Sequence, residues 1–375
     1  MLLTMNFRNF KIDGRGAAAI AGLALVAAAL YWNLSASWES YSGAHLSDPG
    51  GYPEMARASR FFYDSGMREP VPIFLTKAML ALGAGDDASV RFATALVFAA
   101  AVLLTAFLAG RLYGRAAGLA AALLFALNPY AGYYAVQGVS NLTSGLFMML
   151  FWFALAKGEP SARGAVLAGL AGALCMLTRL ENILVVLLSL CAFAALDLSR
   201  PRLKACAAAA AVSLLLTLPY LVHQYRAFGS PVYSHAMAAR FWQNTEQNGP
   251  LSVNRYDGGP MGISAFVFRK GAAGAAADLL KSYLKSFFHY IPRLLHWKLL
   301  SPVLLAGLFF LFRKKDWFTL LLLPVLLLPI AFISTINQVS AGSGIELRFY
   351  LNALWLLCVY CGAGIAGLAA LLRQS

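Results

Sequence analysis

Long apolar stretches separated by short polar segments dominate this sequence. A helix needs about 20 apolar residues to cross the hydrocarbon core of a bilayer, and about ten stretches approach that length. They lie near residues 17–34, 90–110, 116–133, 141–156, 163–178, 182–197, 204–222, 299–312, 317–335 and 348–372. Because backbone polar groups in lipid must be satisfied within the structure, each stretch should cross as an α-helix. The sequence therefore predicts an all-α, polytopic transmembrane bundle, with residues 1–375 as a single domain.

Composition excludes most soluble classes of protein. Hydrophobic residues make up 60% of the chain and charged residues 12%. The net charge of +14 comes from Lys and Arg that occur in twos and threes between apolar runs, not from one basic patch. That distribution is typical of membrane topology signals, so no nucleic-acid partner is expected. The five cysteines lie inside apolar runs and predict neither disulfides nor a zinc site.

Positive charges also predict the orientation of the chain. One set of alternate connections is rich in Lys and Arg, whereas the short loops of the other set carry few or none. The basic set comprises residues 8–15, 111–115, 157–163, 200–204, 313–315 and 373. Both termini are therefore expected to be cytoplasmic. Small residues at 35–37 resemble a signal-peptide cleavage site, but the aromatic pair Tyr31-Trp32 favours a retained anchor helix.

This topology places two long segments, residues 35–89 and 223–298, on the outer face. Residues 53–63 read as a short amphipathic helix that starts with proline, and residues 71–82 as an apolar helix too short to cross. Residues 272–298 read as a cationic helix lying on the membrane, with lipid headgroups as partners. The remaining polar chemistry of the chain is concentrated in these two segments, so the functional site is expected there.

Asp48 is the first candidate catalytic residue. It lies in the segment Ser47-Asp48-Pro49-Gly50-Gly51-Tyr52, just after the first apolar stretch. A carboxylate where one membrane face opens to water is suited to act as a general base. Asp-Pro-Gly-Gly is also good turn chemistry, so a solvated turn residue is the structural alternative.

Further short motifs follow Asp48 and Tyr52 in order. They are Ala56-Arg57-Ala58, Arg68-Glu69-Pro70, Arg91, Gly110 to Arg115, Asn128-Pro129, Thr178 to Glu181, Phe228 to Pro231, and Arg348-Phe349-Tyr350. In order and spacing these motifs resemble the GT-C superfamily of polytopic glycosyltransferases. The resemblance is greatest to bacterial proteins similar to protein O-mannosyltransferases and to the aminoarabinose transferase of lipid A.

The resemblance implies a donor sugar carried on a polyprenyl phosphate, with Asp48 as the base that deprotonates the acceptor. Direct displacement would invert the anomeric carbon. Planar guanidinium groups are suited to the phosphate that leaves. The implied substrate-binding residues are Tyr52, Arg68, Glu69, Arg179, Glu181, Arg226, Arg240, Arg348 and Tyr350. For Arg179 and Glu181, a structural ion pair is the alternative reading.

Cofactor use stays open at this stage. Many members of the superfamily carry a second acidic residue directly after the loop Asp, and some use a divalent cation. Here that position is Pro49, which argues against a metal, although Glu69 or Glu54 could compensate. No metal ligands are assigned.

The resemblance implies a bacterial inner membrane protein with its active site on the periplasmic face. The acceptor is undefined and could be a protein, a lipid or a polysaccharide. A transporter or flippase of lipid-linked saccharide is the main alternative, and an inactive assembly subunit is another. Transporters usually carry polar residues near the bilayer midplane, whereas here the polar groups cluster at one face, which favours the enzyme.

Overall fold

A computed structural model describes residues 14–46, 48–157, 161–236, 239–240, 262–296, 300–331 and 345–373. Every regular element with defined bounds in this part of the chain is helical. The α-helices are α1 (Gly14–Tyr41), α2 (Tyr52–Ala58), α3 (Pro70–Ala81), α4 (Asp86–Tyr113), α5 (Arg115–Ala126), α6 (Pro129–Val136), α7 (Ser140–Lys157), α8 (Ala162–Met176), α9 (Asn182–Ala195), α10 (Arg200–Phe228), α11 (Ile263–Val267), α12 (Gly271–Lys285), α13 (Ile291–Leu294), α14 (Leu300–Arg313), α15 (Trp317–Ala331) and α16 (Ile345–Leu372).

The predicted transmembrane helical architecture is confirmed. Each predicted apolar stretch coincides with one helix, or with the pair α5 and α6. Among the described residues, α1, α4, α10 and α16 are long and apolar enough to cross alone, and the α5–α6 pair would make a fifth span bent by 55°. The helices α7, α8, α9, α14 and α15 are apolar but shorter. The number of spans therefore stays a prediction.

The C-terminal helix α16 lies at the centre of the bundle and packs against α5, α7, α14 and α4. Its residues from Leu351 to Ala363 are almost all buried. Glycine allows the close approach of α14, because a Cβ at Gly307 would overlap the backbone carbonyl of Tyr360. Small residues are the usual means of close helix packing in membranes, where van der Waals contact drives association.

The break between α5 and α6 removes the backbone donor of the Ala126 carbonyl, whereas the Asn128 carbonyl accepts the Gly132 amide (3.2 Å) of α6. Asn33 of α1 donates from Nδ2 to the carbonyls of Ala126 (2.7 Å) and Asn128 (2.9 Å). Asn128 caps α6 through a bond from the Ala131 amide (3.0 Å) and donates from Nδ2 to the carbonyl of Leu294 (2.8 Å). The bend is therefore closed by side chains, as a bilayer requires.

In the first outer segment, a 3-10 turn at Asp48–Gly51 leads into α2 and then α3. The expected amphipathic helix over 53–63 is too long: α2 ends at Ala58, because Ser59 adopts an extended backbone and caps the Met55 carbonyl. The short apolar helix over 71–82 is confirmed as α3, which begins at Pro70.

The second outer segment starts within α10, which ends at Phe228 with Gly229 in the left-handed conformation (φ 74°). The expected helical stretch from 272 is present as α12, a π-helical turn at Ser286–Tyr290, and α13. The amide-rich and aromatic part of this segment, residues 241–261, lies outside the described residues.

Candidate active site

An ion pair between Arg179 and Glu181 lies in the turn that joins α8 to α9. The Nε of Arg179 donates to Oε1 of Glu181. Its Nη1 donates to the Ser140 hydroxyl (3.0 Å) and to Oδ1 of Asn141 (3.4 Å), both in the first turn of α7. The guanidinium therefore fastens the α8–α9 turn to α7. We call Arg179, Glu181, Ser140 and Asn141 the Arg179 cluster.

Both charged members of the Arg179 cluster keep their charge against the cost of burial. Burial acts to lower the pKa of Arg179, but the negative charges of Glu181 and Glu69 outweigh it and raise that pKa. Burial would likewise raise the pKa of Glu181, but Arg179 and His235 outweigh it and lower that pKa. The cluster is therefore an ionised site within a largely apolar protein.

Glu69 connects three separate segments at this site. It is buried just before α3, and its Oε1 accepts hydrogen bonds from the Leu180 amide (3.2 Å) and the Ser234 hydroxyl (3.0 Å). The next residue of the second outer segment, His235, places Nδ1 3.8 Å from Oε2 of Glu181. The two segments predicted to lie on the outer face, residues 35–89 and 223–298, therefore converge on the turn that carries Arg179.

Phe349 brings a second cation to the site. Its ring centre lies 5.7 Å from Cζ of Arg179 and 5.3 Å from Cζ of Arg348. Both separations fall within the range of cation–π attraction. Tyr350, the next residue, forms a 2.6 Å hydrogen bond with Ser286 and packs on Tyr290. The start of α16 is thereby fixed between the Arg179 cluster and the π-helical turn.

The turn that opens with Asp48 adjoins the same region. A Cβ added at Gly138 would lie 3.5 Å from the Cβ of Pro49. Gly138 is two residues before Ser140, which binds Arg179. The backbone of Asp48 therefore lies on the side of the bundle that carries the Arg179 cluster. The Asp48 side chain itself is outside the described part of the structure.

Arg91 binds backbone carbonyl groups close to this turn. It is 1% exposed at the start of α4. It donates to the carbonyls of Tyr41 (3.2 Å) and Ala44 (2.5 Å), just before the turn, and to that of Val136 (2.8 Å), just before Gly138. Arg91 therefore holds together the two backbone segments that meet beside Pro49.

A small cavity of about 10 Å³ lies between α3, α4 and α7. Tyr52 and Ser140 contribute to its wall, which brings a predicted residue of the first outer segment next to the Arg179 cluster. The other walls combine apolar side chains with the hydroxyls of Thr76, Thr94 and Thr143. A cavity of this size has room for about one water molecule.

Three predicted arginines have other surroundings. Arg68 is half-buried next to Glu69, and its carbonyl accepts a bond from Ser65 (2.5 Å). Arg226 is exposed in the last turn of α10, and no ion pair to it is found among the described residues. Arg240 is half-buried, and its Nε has no hydrogen-bond partner in the described chain. The geometry therefore joins Arg179 and Arg348, but not Arg226 or Arg240, through Phe349.

Several residues of the site were not singled out from the sequence. Ser140 and Asn141 open an apolar span, so their contacts with Arg179 could not be read from periodicity. Ser234 and Phe349 lie within or near predicted motifs, and their neighbours Glu69 and Arg179 are distant in sequence. His235 lies in none of the motifs named above, yet it approaches Glu181.

A divalent cation finds no set of ligands in the described residues, where no three His, Cys, Asp or Glu side chains come together. The two carboxylates described at this site already contact other protein groups. Glu181 faces Arg179 and His235 through its two oxygens, and Glu69 accepts two hydrogen bonds. The described residues of the site therefore do not fit a resident metal.

Residues 67–223 match the family model for dolichyl-phosphate-mannose-protein mannosyltransferases. The resemblance to GT-C glycosyltransferases is confirmed. The fold is also that of the archaeal oligosaccharyltransferase of Archaeoglobus fulgidus. The apo form is 16% identical, with a TM-score of 0.58 over 94% of this chain and 51% of that chain. A complex with an inhibitory peptide and a dolichol-phosphate is 15% identical, with a TM-score of 0.56 over 93% of this chain and 51% of that chain.

This chain thus spans about half the length of the GT-C oligosaccharyltransferase structures that it matches. ArnT from Cupriavidus metallidurans bound to undecaprenyl phosphate is less similar, at 14% identity and a TM-score of 0.45, over 96% of this chain and 79% of that chain. No curated protein matches the sequence significantly. The GT-C resemblance therefore rests on the family model and on the shared fold.

Proposed function

We propose that this protein is an inverting glycosyltransferase that takes a sugar from a polyprenyl phosphate at the outer face of a bacterial inner membrane. The main support for this proposal is that both outer segments meet at one ionised site, the Arg179 cluster. This cluster lies beside the turn that contains Asp48. The matched archaeal oligosaccharyltransferase in complex with a dolichol-phosphate supports a lipid-phosphate donor. The distribution of Lys and Arg supports cytoplasmic termini.

In the proposed reaction, the Asp48 carboxylate accepts the proton of an acceptor hydroxyl or amide as that atom attacks the anomeric carbon. The bond between the anomeric carbon and the phosphate oxygen breaks, and the polyprenyl phosphate leaves with the electron pair. Attack opposite the leaving group inverts the anomeric centre. The site must stabilise charge on the phosphate, which is the role given to Arg348 and to the remaining donors of Arg179.

The supporting residues have distinct roles in this proposal. Tyr52 lines the same small cavity as Ser140, so it is a candidate contact for a donor bound at the Arg179 cluster. Glu69 and Glu181 hold Arg179 in place through the contacts described above. Arg68 lies next to Glu69 in the first outer segment and is a candidate for the rim of the site. The donor sugar and the acceptor are not assigned.

Sugar transfer from radiolabelled polyprenyl-phosphate donors to acceptors in native membranes tests this function. Asp48→Asn should reduce transfer by about 10²–10⁴-fold, the usual contribution of a general base. Glu54→Gln is a matched control, because it makes the same carboxylate-to-amide change at an exposed position of α2. The control should retain wild-type transfer.

Two results would count against the proposal. Equal transfer by wild type and a folded Asp48→Asn variant would remove Asp48 from the mechanism. Absence of transfer by the wild-type chain with every donor would overturn the glycosyltransferase assignment in favour of a transporter or an inactive subunit.

A further inference from the structure

A closed ring of hydrogen bonds lies inside the bundle. Ser144 donates to Oδ1 of Asn352 (3.1 Å), Nδ2 of Asn352 donates to Oδ1 of Asn182 (3.3 Å), and Nδ2 of Asn182 donates to Ser144 (2.7 Å). The second hydrogen of the Asn182 amide is directed to the carbonyl of Cys175 (2.9 Å). We call Ser144, Asn182 and Asn352 the polar ring.

The polar ring is buried and joins three helices. Ser144 and Asn182 are 0% exposed and Asn352 is 6% exposed. They come from α7, α9 and α16 respectively. Each side chain both donates and accepts within the ring, so the ring sets direction as well as distance between the helices. Polar groups at such depth in a membrane protein usually have a specific role.

The ring lies directly beneath the candidate active site. Ser144 is four residues after Ser140, and Asn352 is four residues after Arg348, so each lies one helical turn deeper on the same face. The third member of the ring directly follows Glu181. The helices α7 and α16 therefore each carry a residue of the ring one turn from a residue of the site, and Glu181 directly precedes α9.

We propose that the polar ring is a positioning device that sets the separation of Arg179 and Arg348, which both contact Phe349, and so the fit of this cation pair to a lipid-linked phosphate. The inference rests on the proposed function, because it assigns that ligand to the two cations. Rotation of α16 by a fraction of a turn would carry Arg348 away from Arg179. The ring opposes such a rotation through two directed hydrogen bonds to Asn352.

A positioning role and a purely stabilising role make different predictions when the whole ring is removed. Deleting one member leaves buried partners unsatisfied and lowers stability, whereas replacing all partners by apolar groups is often nearly neutral. The apolar ring would, however, lack directional bonds. If the ring positions the cations, the triple variant should keep most of its stability but bind the ligand more weakly. If the ring only stabilises the bundle, affinity should change together with stability.

The experiment measures two quantities on the purified full-length chain: the midpoint of thermal unfolding, and the Kd for a short-chain polyprenyl phosphate that carries no sugar. Ser144→Ala and Asn352→Leu should lower the midpoint and weaken binding. The triple variant Ser144→Ala/Asn182→Leu/Asn352→Leu should recover most of the midpoint while binding stays roughly tenfold weaker than in wild type.

Tyr113→Phe is the matched control at the opposite end of the bundle. The Tyr113 hydroxyl is part-buried and contacts Asp316 (2.6 Å) and Thr319 (3.2 Å), so its loss removes a comparable polar network. This variant should lower the unfolding midpoint without changing the Kd. Ser144→Ala and Tyr113→Phe each remove a single hydroxyl oxygen. Comparing their Kd values therefore tests the positioning role of the ring even when the triple variant does not fold.

Wild-type Kd in Ser144→Ala, or in a folded triple variant, would overturn the inference. So would a Kd that follows the unfolding midpoint across all variants, Tyr113→Phe included. Unchanged binding in Arg348→Gln would instead remove the cation pair, and with it the proposed phosphate site. Absence of sugar transfer in the wild type would refute the proposed reaction while the Kd comparison still decides the role of the ring.

Discussion

Gly138→Ala should destabilise the protein and disturb the Asp48 turn through a contact that can be specified atom by atom. Gly138 has φ 73°, where an L-residue costs about 1–2 kcal/mol. A Cβ there would also overlap Cγ1 of Val90, a 1% exposed side chain, and touch Pro49. Overpacking of this kind costs about 1–3 kcal/mol. The total loss in free energy of unfolding should be about 2–5 kcal/mol.

Gly83→Ala isolates the backbone part of this cost. Gly83 has φ 88°, but a Cβ there meets nothing within 4 Å. In denaturant unfolding, the loss in free energy of unfolding should therefore be larger for Gly138→Ala than for Gly83→Ala. The difference is the packing cost alone, about 1–3 kcal/mol. Adding Val90→Ala to Gly138→Ala should restore part of the difference, because the overlapping methyl group is removed.

Sugar transfer provides the second readout for the same variants. Gly138→Ala should move the turn that contains Asp48, and a displacement of about 1 Å near reacting groups can cost 10²-fold in rate. Gly83→Ala should retain wild-type transfer. Equal destabilisation by the two alanine variants, with no rescue from Val90→Ala, would refute the close approach of residue 138 to α4 and the Asp48 turn.

Three further predictions concern stability. Arg179→Gln should lower the unfolding midpoint because it leaves a largely buried carboxylate unpaired, whereas Arg226→Gln, at an exposed position, should not; equal midpoints would contradict the burial of the ion pair. The lowered pKa of Glu181 adds stability above its unfolded pKa of about 4.3, and this is lost as pH falls through the folded value; Glu181→Gln should flatten stability measured against pH in that acid range. Asn33→Leu should cost about 1–3 kcal/mol in denaturant unfolding, since the buried Ala126 carbonyl loses its donor while the Asn128 carbonyl keeps the Gly132 amide; a loss under about 0.5 kcal/mol would contradict that role.

The helical architecture followed from the sequence because apolar length and helix-end residues are local properties. The apolar run over residues 71–82 was enough to predict α3. The predicted end of α2 was wrong, because the helix ends where the backbone of Ser59 becomes extended. The hydrophobic pattern does not show that position. The number of spans did not follow either, because several apolar helices are shorter than a bilayer requires.

The candidate site followed from the sequence only in part. Motifs pointed to Glu69, Arg179 and Arg348 separately, and the structure brings them to one end of the bundle. Arg226 and Arg240 look the same as these residues in a sequence, because any arginine near a helix end reads as a phosphate contact. The choice between them depends on helix rotation and on neighbours such as Phe349, which are tertiary properties.

The break at Asn128 has a consequence for the order in which the chain assembles. The Ala126 carbonyl, which the break leaves without a backbone donor, is met by Asn33, which is synthesised earlier and is present when α5 and α6 enter the membrane. The donor group of Asn128 is met by Leu294, which emerges from the ribosome more than 150 residues later. The bent pair should therefore dock on α1 during synthesis and remain open to water or translocation partners at one amide until the C-terminal third arrives.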